Sequence, residues 1–155
     1  MFKRGYFLFQ LIVLALAQCL VWPAGADDIP SLIGDWRGEY TVQSRQGRSS
    51  AEVHFAITEQ EGALFKGAYE WEYHPDTPVV GDHEAGVGKR GKDVLLGVIG
   101  WDNTSINIAD VDDKGLWFGK LTGPDTLELI YVESQDHATV SRTRLVRHPA
   151  TKKAP

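Results

Sequence analysis

The chain has 155 residues, with 16 Lys or Arg against 21 Asp or Glu, a net charge of −5 when the five histidines are neutral. That acidic balance, with no basic cluster to neutralise phosphates, excludes nucleic acid as a partner. The length suits one hydrophobic core, and a single cysteine, Cys19, leaves no intramolecular disulfide.

The opening segment reads as a secretory signal. Lys3 and Arg4 form its positive region, Phe7 to Ala17 its apolar core interrupted only by Gln10, and Ala24-Gly25-Ala26 an A-x-A cleavage site. The apolar run is short of the about 20 residues a membrane span needs, so no transmembrane helix is expected after cleavage. Residues 1–26 are therefore assigned to the signal, 27–148 to the folded domain and 149–155 to a disordered tail. Cleavage removes two basic residues and no acid, taking the net charge from −5 to −7. The expected location is the bacterial periplasm or the exterior. Leu16-Ala17-Gln18-Cys19 offers the alternative of a lipid anchor on Cys19, although Gln18 stands where a lipoprotein box has a small residue.

From Gly34 onward the apolar period is two, broken by Gly, Pro, Asn and Asp every 8–12 residues, which predicts an all-β sandwich or barrel. Trp36, Gly38, Tyr40 and Val42 share one face of a first strand; Val53, Phe55 and Ile57 share one face of a second. The third is the clearest: Phe65, Gly67, Tyr69, Trp71 and Tyr73 alternate with Lys66, Ala68, Glu70 and Glu72, an aromatic face backed by a largely charged one. Next, His74-Pro75-Asp76-Thr77-Pro78 is a loop; Val79 to Gly88 reads as a weak strand or a lid, and Lys89-Arg90-Gly91-Lys92 as a basic turn. Val94 to Ile99 is almost continuously apolar and predicts a strand buried on both faces. Thr104 to Asp110 is short. Asp112-Asp113-Lys114-Gly115 is a hairpin into Leu116 to Leu121, and Gly123-Pro124-Asp125 a further turn. Leu127, Leu129 and Tyr131 alternate in the next strand, and a last one covers Ala138 to Arg147. Eight, or nine, strands joined by short connections predict an antiparallel up-and-down barrel, which removes exposed edges and is filled or holds one small ligand.

Gly34-Asp35-Trp36 on the first strand and Arg147 (or Arg144) on the last resemble the calycin group, the lipocalins, avidins and their relatives. The resemblance implies that Trp36 lies across the closed end of the barrel under an arginine lid, a structural plug. Phe65-Lys66-Gly67-Ala68-Tyr69 is similar to a strand of avidin-type barrels. The polar residues with which avidins hold biotin have no counterpart here, so biotin is not implied, and the lipocalin cysteines are absent.

Tyr69, Trp71, Tyr73, Trp117 and Tyr131, with Trp101, are the aromatic rings available to line a pocket at the open end; the alternative is that they fill the barrel. His74, Asp76, Asp82, His83 and Glu84 are ligand-capable types, but their spacing matches no standard metal site, and His83 alone does not predict haem. Asp110-Val111-Asp112-Asp113-Lys114-Gly115 fails as a calcium loop, with Lys114 at its fifth position and no closing glutamate. Ser141 with His137 and Asp136 forms no triad on one strand, because neighbouring side chains point to opposite faces. Glu70 and Glu72 share a solvent face, and Asp102-Asn103-Thr104 is a turn. No enzyme, metal or cofactor is expected. The reading is an exported barrel that binds a small apolar or amphipathic molecule at its open end; the alternative is a filled barrel whose loops contact an envelope protein or act as an inhibitor.

Overall fold

A computed structural model describes residues 29–80, 90–134 and 138–149. The signal-like segment with Cys19, residues 81–89 with Asp82, His83 and Glu84, the Asp136 and His137 pair, and residues 150–155 of the expected tail lie outside the described residues. Eight strands form a closed antiparallel barrel in up-and-down order. They are β1 (Gly34–Ser44), β2 (Arg48–Glu61), β3 (Leu64–Tyr73), β4 (Arg90–Ile99), β5 (Ser105–Asp110), β6 (Gly115–Gly123), β7 (Thr126–Glu133) and β8 (Thr139–His148). The eighth strand returns to pair with the first, Trp36 opposite Arg147. No helix among the described residues is long and apolar enough to cross a membrane.

Turn chemistry sets the connections. Gly62, at φ 56°, closes the two-residue turn between β2 and β3, where Glu61 faces Leu64. Odd-to-even connections gather at one end of the barrel and even-to-odd ones at the other. Trp36 marks the second end; Ser44, Tyr73, Asp110 and Glu133 mark the first.

Inside, large side chains meet glycines across strand pairs. Phe65 faces Gly97, Trp71 faces Gly91 and Tyr131 lies against Gly115. A Cβ on any of these glycines would sit 2.0–2.1 Å from the partner's ring atoms. The rings thus lie flat over the opposite backbone and use the volume that a side chain would have taken, the large–small alternation by which a small barrel fills its taper. Gly97→Ala is expected to lose about 1–3 kcal/mol in urea unfolding, because the added methyl must push the buried Phe65 ring aside; an unchanged midpoint would mean that the ring has room to move.

Three expectations change. Lys89-Arg90-Gly91-Lys92 reads as a turn in the sequence, but Arg90, Gly91 and Lys92 are the first residues of β4, and Gly91 is the seat for Trp71. The run Val94 to Ile99 is not buried on both faces: Val94, Leu96 and Val98 are 46, 52 and 38% exposed. The reason is topological, since an up-and-down barrel has a single interior and a strand apolar on both faces presents one of them outward. Among the described residues there are eight strands, and Val79 and Val80, the described part of the weak Val79–Gly88 segment, lie in the connection before β4.

Candidate functional site

The closed end is built from Trp36 outward. Its side chain is fully buried, its indole N–H donates to the Leu32 carbonyl (2.8 Å), and the Arg147 guanidinium carbon stands 4.1 Å from the ring centroid. Arg147 donates in turn to the carbonyls of Ser31 (2.7 Å), Ile33 (2.6 Å) and Pro124 (3.3 Å), and to Asp125 Oδ1 (2.9 Å). Because Arg147 is opposite Trp36 in the strand register, the cation reaches the ring directly and ties down both the segment before β1 and the β6–β7 turn. Every polar group named here is engaged within the protein.

At the other end, β3, β6 and β7 bring the five predicted aromatic residues together. Tyr69, Trp71, Tyr73, Trp117 and Tyr131 all line one cavity, joined by Tyr40, Val42 and Val80 on the apolar side and by Asp113, Glu133, Thr139 and Ser141 on the polar side. Trp101 does not belong to it: it stands fully exposed in the β4–β5 turn, at the closed end. The rings pack on one another. Tyr69 stacks on Trp71 at 5.1 Å between centroids, and Trp117 lies 4.7 Å from Tyr131 and edge-on to Phe55 at 5.2 Å. This contact network leaves a cavity of about 30 Å³, enough for a water and about a tenth of what a drug-sized ligand fills. The expected open-ended pocket is therefore closed in this conformation. Val80, 1% exposed, stops its mouth, and the Tyr73 hydroxyl holds the Val80 carbonyl at 3.2 Å. The incoming segment is further tied by the Ser49 hydroxyl on the Pro78 carbonyl (2.5 Å) and the Thr77 hydroxyl on the His74 carbonyl (2.9 Å).

Two polar atoms in this wall have no partner among the described residues: the indole N–H of Trp117 and the hydroxyl of Ser141, in residues 2% and 7% exposed. A buried polar group left without a hydrogen bond costs about 1–3 kcal/mol, and folded proteins satisfy nearly all of theirs.

Beside the aromatic wall stands a carboxylate cluster that joins Asp93, a residue the sequence pattern did not single out, to Asp110 and Asp113 of the failed calcium loop. Asp93 and Asp110 both point into the barrel, and with Asp113 they place carboxylate oxygens within 4.8 Å of one another. Asp110 Oδ2 accepts the Tyr69 hydroxyl (2.9 Å), while Oδ1 accepts the backbone N–H of Asp112 (3.3 Å) and Asp113 (3.2 Å). Burial, and then the neighbouring Asp110 charge, push the Asp93 carboxyl up to about 7, with the Tyr69 hydroxyl pulling the other way. Burial also raises Asp110. The Tyr69 phenol, buried and facing Asp110, is pushed far above its ordinary value and stays protonated. Three carboxylates in this arrangement could approach a cation, but the Asp110 oxygens are already committed to hydrogen bonds, and no metal is assigned. The signal available in the sequence was parity: Asp93 is in phase with Leu95, Gly97 and Ile99, and Asp110 with Ile106 and Ile108.

The remaining candidates are scattered. His74 Nε2 lies 3.7 Å from Glu39 Oε1 and Asp76 is on the exposed loop surface. Glu70, on the outer face, accepts Lys92 Nζ at 2.7 Å, which holds its carboxyl below the usual range. Glu72 is also outside. Asp102 caps its own turn by accepting the N–H groups of Thr104 (3.0 Å) and Ser105 (2.7 Å). The roomier hollows, about 660 Å³ across β1–β4 and about 830 Å³ across β6–β8 and β1, are open grooves on the barrel's outside.

No known protein family matches the chain. No curated protein matches it either. Among solved structures, the chain is similar to a de novo designed fluorescence-activating β-barrel at 12% identity and TM-score 0.46, over 76% of this chain and 94% of that one. It is similar to the S-type phycobiliprotein lyase CPES from Guillardia theta at 12% identity and TM-score 0.43, over 77% and 90% of the two chains. A third likeness is to EF1p2_mFAP2b, solved bound to DFHBI, at 13% identity and TM-score 0.43, over 76% and 94%. Likenesses this distant say nothing about what the present chain binds.

Proposed function

We propose that this is an exported, calycin-like barrel that takes a small amphipathic molecule at the Val80 end. The observation that carries the reading is the pair of unpartnered buried polar groups, Trp117 N–H and Ser141 O–H, in an otherwise aromatic wall. The ligand presents an acceptor to the indole and stacks its body among Tyr69, Trp71 and Tyr131. Asp113 and Glu133 line the same cavity, so an anionic ligand is disfavoured and a neutral or cationic one fits. With about 30 Å³ free, anything larger than water enters only as Val80 withdraws. Three of the hydrogen bonds that seat the incoming segment, from Ser49, Tyr73 and Thr77, end on backbone carbonyls that water can also satisfy.

The test is intrinsic tryptophan fluorescence with a panel of neutral aromatic amides and alcohols, run beside native mass spectrometry of protein isolated from its host. Benzamide, which offers a carbonyl acceptor on a flat ring, is expected to shift the emission. Val80→Ala, which thins the stopper, is expected to tighten binding, and Trp117→Phe to weaken it about tenfold through loss of one hydrogen bond. No response in either wild type or Val80→Ala, with no co-purifying molecule, would sink the reading. The small cavity and an apolar outer surface favour a second reading, a filled barrel that works through its exterior.

A further inference from the structure

The inside of the barrel is acidic. Among the described residues its buried polar and charged side chains are Ser44, Ser49, Asp110, Ser141 and Thr143, with no lysine, arginine or histidine. No basic residue lines the cavity at the Val80 end either, where the charged groups are Asp113 and Glu133. Asp113 joins that cavity to the carboxylate cluster, because its oxygen lies within 4.8 Å of those of Asp93 and Asp110. Strand register sets the placement: Asp93 is the cross-strand partner of Tyr69, and Asp110 that of Leu95. The acids are not alike. Both Asp110 oxygens are engaged, by the Tyr69 hydroxyl and by the backbone N–H groups of Asp112 and Asp113. Asp93 Oδ2 is buried and has no hydrogen-bond partner among the described residues. A carboxylate oxygen removed from water without a partner costs more than a neutral polar atom in the same place. Over the cavity, the rings of Tyr69, Trp117 and Tyr131 follow one another at 5.5 and 4.7 Å between centroids.

Given the reading that this cavity takes a small amphipathic molecule, on which this rests, we infer that the molecule is an organic ammonium: an aromatic amine that donates N–H to Asp93 and Asp113 and offers an oxygen acceptor to Trp117. Each part of such a ligand answers a group on the wall. An ammonium supplies donors only, and the two carboxylates supply acceptors. The negative faces of the three rings attract its charge. The Trp117 N–H and the Ser141 hydroxyl, in residues 2% and 7% exposed, have no partner among the described residues and line the same cavity as Asp113. An indole N–H needs an acceptor, which the cation cannot give, so the same molecule carries an oxygen. A metal ion suits the place less well: calcium takes about six to eight oxygens, and those of Asp110 are already committed.

Protonation ties the preference to pH. The groups acting on Asp93 are the Tyr69 hydroxyl from β3, Asp110 from β5, and Asp112 and Asp113 from the β5–β6 turn; burial, and then Asp110, push its carboxyl up to about 7. Below that value Asp93 holds a proton and attracts a cation weakly. Above it the carboxylate is ionised, and the ammonium gains an ion pair that a neutral analogue does not.

The test is titration calorimetry of the full chain, as wild type and as Val80→Ala, with 4-(aminomethyl)benzamide and 4-(hydroxymethyl)benzamide. Both offer the same amide carbonyl to Trp117, and only the amine is charged. At about pH 8 the amine is expected to bind at least about tenfold more tightly than the alcohol, and the ratio is expected to shrink at about pH 5.5. Asp93→Asn is expected to bring the ratio at the higher pH close to one. Glu70→Gln removes a carboxylate from the outer face and is expected to keep it. The circular dichroism spectrum of each variant shows that it is folded. If the alcohol binds as tightly as the amine, the ammonium is overturned while the amphipathic reading stands. A preference undiminished in folded Asp93→Asn overturns it too, since the charge is then held elsewhere. Should neither compound bind to wild type or to Val80→Ala, the amphipathic reading falls and the ammonium with it.

Discussion

Replacing Trp36 with alanine is expected to cost about 3–5 kcal/mol of unfolding free energy, the range for removing a large buried aromatic. The side chain is fully buried and closes one end of the barrel. Three contributions are lost together. Apolar area is uncovered and a cavity opens under Leu32, Ile57 and Leu145, which are themselves 0–3% exposed. The Leu32 carbonyl loses its indole donor. Arg147 keeps its carbonyl acceptors but loses the ring beneath it, an interaction of about 0.5–2 kcal/mol. Trp36→Phe restores part of the area but neither the N–H nor the larger π-face, so its loss is expected to fall between wild type and alanine. Urea unfolding followed by circular dichroism reads both variants. Against a total stability of about 5–15 kcal/mol, the alanine variant sits near the edge of folding at physiological temperature. A loss under about 1 kcal/mol would show that the closed end does not depend on its plug.

The second large effect is a change of pH dependence in Asp93→Asn. The carboxyl of Asp93 is held near 7 in the folded protein, above its ordinary value near 3.8, because burial and the Asp110 charge disfavour ionisation. A folded-state pKa above the unfolded one means that the native state binds the proton more tightly. Stability from this group is therefore fully present below about pH 4 and is lost as pH climbs toward and through 7. Asparagine is neutral throughout and does not lose it. The variant is expected to gain on the order of 1–3 kcal/mol over wild type at about pH 8, with allowance for the partial exposure of the site, and to show little or no advantage at about pH 4.5. Asp110, raised in the same direction, stays in the variant and leaves it a shallower slope. Chemical unfolding at four or five pH values gives the two curves. Equal stability at the alkaline end would mean that Asp93 is already relieved of its charge cost by solvent.

Both effects bear on how function divides between the ends. The Trp36 end spends its polar groups on itself. The Val80 end keeps two polar groups unspent and lies beside a carboxyl, Asp93, whose protonation changes near neutrality. Loading of the cavity by a cationic molecule would favour the ionised form of Asp93, so binding of such a ligand is expected to strengthen as pH rises through 7.

Much of the barrel was legible in the amino-acid order. The first three strands carry one apolar face each, and Gly123-Pro124-Asp125 and the Asp112-Asp113-Lys114 run mark turns with little ambiguity. The aromatic wall was legible too, because Tyr69, Trp71 and Tyr73 share a parity and Trp117 faces Tyr131 across a hairpin. Trp101 was not separable from that set by residue type alone; it follows Gly100 and precedes Asp102, within the β4–β5 turn at the far end. Asp93 went unread because a carboxylate on an inward parity is against expectation, and Asp110 was read only as part of a failed calcium loop; inside the barrel its carboxylate accepts the Tyr69 hydroxyl and two backbone N–H groups.

By itself the sequence determined the strand content and the antiparallel meander; the lid over Trp36 was what the calycin resemblance implies, with Arg147 and Arg144 both open, and the β1–β8 register decided for Arg147. Period-two alternation and turn residues act locally, so both are written in the amino-acid order, whereas the register between the first and last strands is not. Tertiary structure decided what alternation leaves open. Where β4, β6 and β7 are apolar on both faces, only closure of the barrel chooses the inner one, which turned Leu96, Phe118 and Ile130 outward into a surface. Whether the aromatic end is hollow also lay beyond local pattern: it depends on Trp71 and Tyr131 lying flat over Gly91 and Gly115, and on Val80 filling the mouth. Those are contacts between segments far apart in the chain, fixed by packing and not by any one strand's composition.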